Sequence, residues 1–146
     1  MEKERKIPQK LALTDEEWKN KLTPDQYKVL RQKSTELPFN NSYWDFKKEG
    51  VYICAACGLQ LFSSAAKYDS GTGWPSYWEP IDAMHLEFME DRTLPTSRVE
   101  VLCAKCLGHL GHVFEDGPPP TGLRYCMNST ALDFVPQGND IRPREV

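Results

Sequence analysis

Near its C-terminal end the chain reads Leu123-Arg124-Tyr125-Cys126-Met127-Asn128. Apolar and polar residues alternate there, as in a half-buried strand. A period of two puts Arg124, Cys126 and Asn128 on one face and Leu123, Tyr125 and Met127 on the other. A thiol between a guanidinium and an amide is placed for chemistry, whereas a packing cysteine belongs on the Leu/Tyr/Met face. Such a thiol is nucleophilic only as thiolate. Its free pKa of about 8.5 calls for cationic or hydrogen-bonding neighbours at neutral pH, and Arg124 is the same-face candidate. Upstream, Gly108-His109-Leu110-Gly111-His112 supplies two candidate acids. Its glycines allow bends that turn both rings toward one cleft. The competing readings are a small buried hydrophobe for Cys126 and packing for the histidines. His85, in an ordinary strand pattern, is assigned to packing.

The other four of the five cysteines form two pairs, Cys54-x-x-Cys57 and Cys103-x-x-Cys106, each preceded by a strand-like run. Two such knuckles make a tetrahedral four-sulfur site, the usual structural arrangement for zinc. The gap between them exceeds ordinary zinc-finger spacing, so the module is a split clip joining distant strands. Redox dithiols are the alternative. Neither pair sits between a parallel strand and a long helix, which counts against that alternative. Thiolate ligands alone do not separate zinc from iron. Four sulfurs leave no open position, so the metal is structural.

These residues need a scaffold, and 146 residues suffice for one domain with a real core. The expected organisation is a single domain over 1–146, with a loose arm at 1–10 and a frayed tail at 137–146. A net charge of −3 argues against a broad nucleic-acid surface. No apolar run approaches the roughly 20 residues of a membrane span. The charged start Met1-Glu2-Lys3-Glu4-Arg5-Lys6 resembles neither a signal nor a transit peptide, so the expected location is the cytoplasm.

Two short helices are expected first. Thr14 with Glu17, and Thr23 with Pro24 and Gln26, spell consecutive capping boxes. Each helix is too short to stand alone and must dock. Ser34 to Asn41 reads as an irregular connection. From Tyr43 the period becomes two, with strand-like runs at Val51–Cys54, Leu59–Phe62, Met84–Met89 and Val99–Cys103. The body is therefore antiparallel sheet. Ser63 to Pro80 reads as a long linker rich in glycine and aromatics, and its Gly73-Trp74-Pro75 favours Trp74 and Trp78 as pocket wall over core.

Six ordered motifs together resemble the B-type methionine sulfoxide reductases. They are Cys54-x-x-Cys57, Gly71-Thr72-Gly73-Trp74-Pro75-Ser76, Cys103-x-x-Cys106, Gly108-His109-Leu110-Gly111-His112-Val113-Phe114, Asp116-Gly117-Pro118 and Arg124-Tyr125-Cys126-Met127-Asn128-Ser129. The resemblance runs over residues 13–135. It implies a mainly β fold of two antiparallel sheets with N-terminal helices packed on them, and a four-cysteine structural zinc site far from the chemistry. It implies Cys126 as nucleophile, His109 and His112 as acid and hydrogen-bonding groups, and Asn128 and Arg124 in support. Trp74 would take the substrate S-methyl against its ring, consistent with sulfur–aromatic affinity. Phe114 would extend that wall, and Asp116 would orient a histidine. The implied reaction is reduction of methionine (R)-sulfoxide through a Cys126 sulfenic acid.

Many members of that family carry a recycling cysteine where this chain has Thr72. With four cysteines committed to metal, an external thiol is expected as reductant: thioredoxin or another small dithiol. The expected partners are an oxidised protein or peptide and that reductant, with no nucleic acid and no membrane, acting on a monomer. The competing reading is a non-catalytic zinc-clip module that binds a protein. A third is a thiol–disulfide oxidoreductase working through its Cys-x-x-Cys pairs.

Overall fold

The computed structural model describes residues 8–138. Most of the expected arm and tail therefore lies outside the described residues. Two helices open the described chain, α1 (Asp15–Lys21) and α2 (Pro24–Gln32), and both capping boxes form as the sequence spells them. Thr14 and Thr23 accept from the backbone N–H of Glu17 and Gln26, whose side chains accept in return. The helices bury Trp18, Val29 and Leu30, and Leu22 at the end of α1 is buried with them, the docking face that such short helices require.

Nine strands follow: β1 (Gly50–Cys54), β2 (Gln60–Ser63), β3 (Lys67–Tyr68), β4 (Ser76–Tyr77), β5 (Leu86–Asp91), β6 (Arg98–Cys103), β7 (His109–Phe114), β8 (Arg124–Met127) and β9 (Leu132–Pro136). They form a three-stranded sheet, β2-β1-β9, and a six-stranded sheet, β3-β4-β8-β7-β6-β5. Every pairing is antiparallel. The stretch read as a linker, Ser63 to Pro80, contains β3 and β4, whose pairing with β8 extends the larger sheet beyond Cys126. Strands of two residues carry too little periodicity to be seen in sequence.

The core lies between the sheets. Phe62 of β2 stacks on Tyr77 of β4 with ring centroids 4.3 Å apart, and Tyr52 of β1 meets Tyr77 edge-on at 5.3 Å. Offset and edge contacts of this kind add about 0.5–1.5 kcal/mol each beyond burial. They lock the small sheet onto the half of the large sheet that carries Cys126.

Candidate active site

Strand register brings the site together. Cys126 pairs with Ser76 on one side and His112 on the other, and His112 pairs with Glu100. Cross-strand partners share a face, so one row across the sheet presents Ser76, Cys126, His112 and Glu100 together. His109 is three residues from His112, and a regular strand would send it to the opposite face. The register instead slips between β6 and β7: Val101 pairs with Gly111, but Leu102 pairs with His109. Leu110 is the extra residue of a β-bulge. The bulge returns His109 to the side of His112, with ring centroids 5.4 Å apart.

The bulge frees the carbonyl of Leu110, and Asn128 satisfies it twice, through its backbone N–H at 2.9 Å and its Nδ2 at 3.1 Å. Gly111 serves close approach rather than a bend. A Cβ at this position would lie 2.1 Å from the Cys126 carbonyl oxygen.

Cys126 opens into a cleft of about 230 Å³ lined by Thr72, Trp74, Arg98, His112, Phe114, Arg124 and Asn128, among others. Of the sequence-expected wall residues, Trp74 and Phe114 line it and Trp78 does not. Arg124 lies over the Phe114 ring at 4.3 Å, and Asp116 grips its guanidinium through two bonds of 2.8 and 3.1 Å. Burial pushes the Cys126 thiol up. The Arg124 charge and hydrogen bonds from Thr72 and Arg124 oppose that shift without cancelling it. Thr72 continues into a hydroxyl chain, Thr72–Ser70–Ser76, with both links 2.7 Å.

His112 lines the Cys126 cleft, whereas His109 is 3% exposed and sits behind it, facing an adjoining cavity that both rings line. His112 Nε2 donates to Asp91 Oδ2 at 2.7 Å. Asp91 also accepts from Thr93 and Arg98, and these bonds hold its carboxyl well below the usual range, so it stays ionised. His109 Nδ1 donates to Glu100 Oε2 at 2.7 Å, and Lys33 holds the other Glu100 oxygen. Burial pushes His109 down despite Glu100, so the ring is neutral at pH 7, with a buried Nε2 lone pair that has no partner among the described residues.

One expectation needs correction. Asp116 does not orient a histidine: it lies beyond the end of β7, next to Arg124, and binds that residue. Asp91 and Glu100 orient the histidines instead, and sequence reasoning passed over both. Glu100 sits in a Val-Glu-Val alternation that reads as a solvent-facing charge. Asp91 ends a strand more than thirty positions from Cys126 in sequence, so only pairing joins them. His85, assigned to packing, bonds through Nδ1 to the Gln60 carbonyl.

The four paired cysteines converge. Their sulfurs all lie within 4.8 Å of one another, fully buried, and none is in a disulfide. Cys54 and Cys106 are 3.7 Å apart and Cys57 and Cys103 3.5 Å. Four thiolates at a zinc–sulfur distance of about 2.3 Å stand about 3.8 Å apart in a tetrahedron, so this donor set fits a metal ion. Each knuckle ends on a residue of positive φ, Gly58 at 81° and Leu107 at 60°. The N–H of each donates back to the first cysteine of its pair. Cys103 of the cluster lies three residues beyond Glu100 on β6, about 10 Å along the strand.

A lone thiol in a cleft, a carboxylate-held histidine beside it and an aromatic wall thus share one sheet with a cluster of four cysteines that could hold a metal ion. Residues 22–136 match the SelR domain. The chain is 54% identical over 124 residues to a peptide methionine sulfoxide reductase MsrB of Thiobacillus denitrificans, covering 85% of this chain and 94% of that protein. The Methanosarcina mazei protein of the same name is 49% identical over 136 residues, covering 93% and 97%. That of Leptospira interrogans is 53% identical over 121 residues, covering 83% and 92%. The chain belongs to the B-type methionine sulfoxide reductase family.

Proposed function

We propose that this chain reduces methionine (R)-sulfoxide, carried in an oxidised protein or free, with Cys126 as nucleophile. The observation that carries the reading is the register Cys126–His112, with Asp91 behind the imidazole and Trp74 and Phe114 walling the cleft. The Cys126 thiolate attacks the sulfoxide sulfur. His112, as imidazolium held by Asp91 at Nε2, has its other N–H to give to the oxygen, which would otherwise leave as an unstabilised oxyanion. The S–O bond to methionine breaks as the protonated oxygen passes to the Cys126 sulfur, giving a sulfenic acid, and the new sulfur–sulfur bond breaks with its electron pair leaving on the methionine thioether. Two electrons have moved from the cysteine sulfur to the substrate.

Trp74 takes the S-methyl, and Arg124 favours the charged thiolate. With the methyl on one wall and the proton donor on another, a single sulfur configuration fits, and the family resemblance points to R. His109, neutral and buried, supports the neighbouring ring.

The four-cysteine cluster suits one structural zinc ion, which would brace β1 and β6 and leave no position for substrate. With those thiols committed and Thr72 beside Cys126, an external thiol, thioredoxin or another small dithiol in the cytoplasm, closes the cycle. It attacks the sulfenic sulfur and releases water, and a second thiol then frees Cys126 and leaves as a disulfide. Family membership supports the enzymatic reading and lends nothing to a non-catalytic zinc-clip module.

The test is an epimer-resolved assay on a methionine sulfoxide peptide with dithiothreitol. Consumption of the R epimer alone, abolished by Cys126→Ser, is the expected result. A folded, metal-loaded wild type that turns over neither epimer would remove the reading. Mass spectrometry after one turnover should find a sulfenic acid at Cys126, and an internal Cys126 disulfide with metal retained would rule out the one-cysteine cycle.

A further inference from the structure

The connection after α2 holds a charge turned the wrong way for a surface strap. From Gln32 to Asn40 every residue is exposed except Glu36, while apolar Leu37 and Phe39 stand 66% and 55% exposed. Glu36 is turned inward because each of its polar groups is used. Its carboxylate accepts from the Ser129 N–H, and from the N–H and hydroxyl of Thr130, both at 2.8 Å. Its backbone N–H donates to Asn128 Oδ1 at 3.0 Å. Its carbonyl accepts from the Trp74 indole N–H at 3.0 Å. One residue thus joins the segment just after Cys126 to the aromatic wall opposite it.

We propose that Glu36 is a positioning residue that sets the Trp74 ring against Cys126, and so fixes how the substrate methyl is held. This rests on the functional reading above, with Trp74 as the methyl wall. The carboxylate is the anchor and the carbonyl is the arm. If the carboxylate is removed, the strap is released and the indole loses its bond to it. Asn128 is affected less, because its backbone N–H and Nδ2 stay on the Leu110 carbonyl. The Trp74 backbone is also held independently, by Thr72 Oγ1 and the Ser76 hydroxyl. Glu36 therefore controls the ring direction rather than the loop. Its charge is also felt at the nucleophile, where it opposes thiolate formation.

The experiment is a double-mutant cycle on the full chain with an R-sulfoxide peptide. Trp74→Phe keeps an aromatic wall but cannot donate to Glu36. Displacing a substrate-holding group by about an ångström costs on the order of 10²-fold. Glu36→Ala should therefore raise KM about 10-fold or more, with kcat changed less than about 3-fold, since the wall grips substrate and transition state alike. In the Trp74→Phe background the same substitution should cost less than about 3-fold in kcat/KM, because residues acting as one unit are not additive. Alkylation of Cys126 by iodoacetamide, which does not use the wall, should be no slower in Glu36→Ala. An unchanged KM, or an equal loss in both backgrounds, would overturn the proposal, as would slowed alkylation, which marks a general collapse of the cleft. Should Glu36→Ala fail to fold, judged by melting and metal content, Glu36→Gln decides. It keeps one acceptor, so a KM raised about 3-fold or more supports the arm, and an unchanged KM overturns it. Residual turnover by Cys126→Ser would instead remove the functional reading itself.

Discussion

Asp91→Asn isolates the carboxylate behind His112 with little change of shape. In the wild type, Oδ1 accepts from the Thr93 N–H and hydroxyl, and Oδ2 accepts from His112 and Arg98. Both Thr93 groups donate, so the amide oxygen of an asparagine stays with them and its NH2 turns toward His112 and Arg98. The imidazole then faces a donor where it had an anion. Losing a hydrogen bond to a charged group costs about 1.5–3 kcal/mol, which is roughly 10–100-fold in rate when the proton donor is no longer held in place. Asp91→Asn should therefore lower kcat by about 10–100-fold. The assay is kcat on an R-sulfoxide peptide, with Cys126 alkylation followed in parallel. An unchanged kcat would show that Asp91 does not hold the proton donor, and alkylation slowed as much as turnover would mean that Asp91 only holds structure.

Gly111→Ala should break the β7–β8 contact, because the new methyl meets the Cys126 carbonyl at 2.1 Å and neither backbone can yield cheaply; a loss of about 3 kcal/mol, or about 10 °C in Tm, is expected by thermal melting, and a change under 2 °C would contradict the close approach. His109 is pushed down by burial, so the unfolded chain takes up a proton at this residue before the native state does. Its contribution is therefore intact above the unfolded value of about 6.5 and falls with pH below it, by at most about 1.4 kcal/mol per unit. His109→Gln should remove that part of the slope between pH 7 and 5.5 in denaturant titrations, and an identical slope in both proteins would refute the buried neutral ring. Elemental analysis should find one metal ion per chain, and Cys57→Ser or a strong chelator should lower Tm by more than about 15 °C, since structural metal binding contributes folding free energy directly. A metal-free chain melting within a few degrees of the wild type would count against the clip.

The local grammar was legible wherever a single short stretch carries its own physics. Two capping boxes, two Cys-x-x-Cys knuckles and the alternation around Cys126 each appear in the structure at the residues that spell them. Their causes lie within a few residues of chain, so composition and spacing suffice. The same holds for the antiparallel body, since its longer strands show their period. What failed to show was long-range or hidden in irregular chain. β3 and β4 are too short to carry a period, and Glu36 sits in a connection with no pattern at all.

The sequence by itself thus determined which groups are available: one uncommitted thiol, two histidines, an aromatic loop and four cysteines that fit a metal. Tertiary structure decided how they are partnered. A bulge at Leu110 put two histidines of spacing three on one side of a strand, where strand geometry alone would have parted them. Register across β5, β6, β7 and β8 gave the histidines Asp91 and Glu100 and left Asp116 to Arg124. Burial then raised the thiol that the neighbouring guanidinium was expected to lower. Partner choice and desolvation depend on what other strands bring alongside, and that is a property of the packed sheet and not of any one stretch of chain.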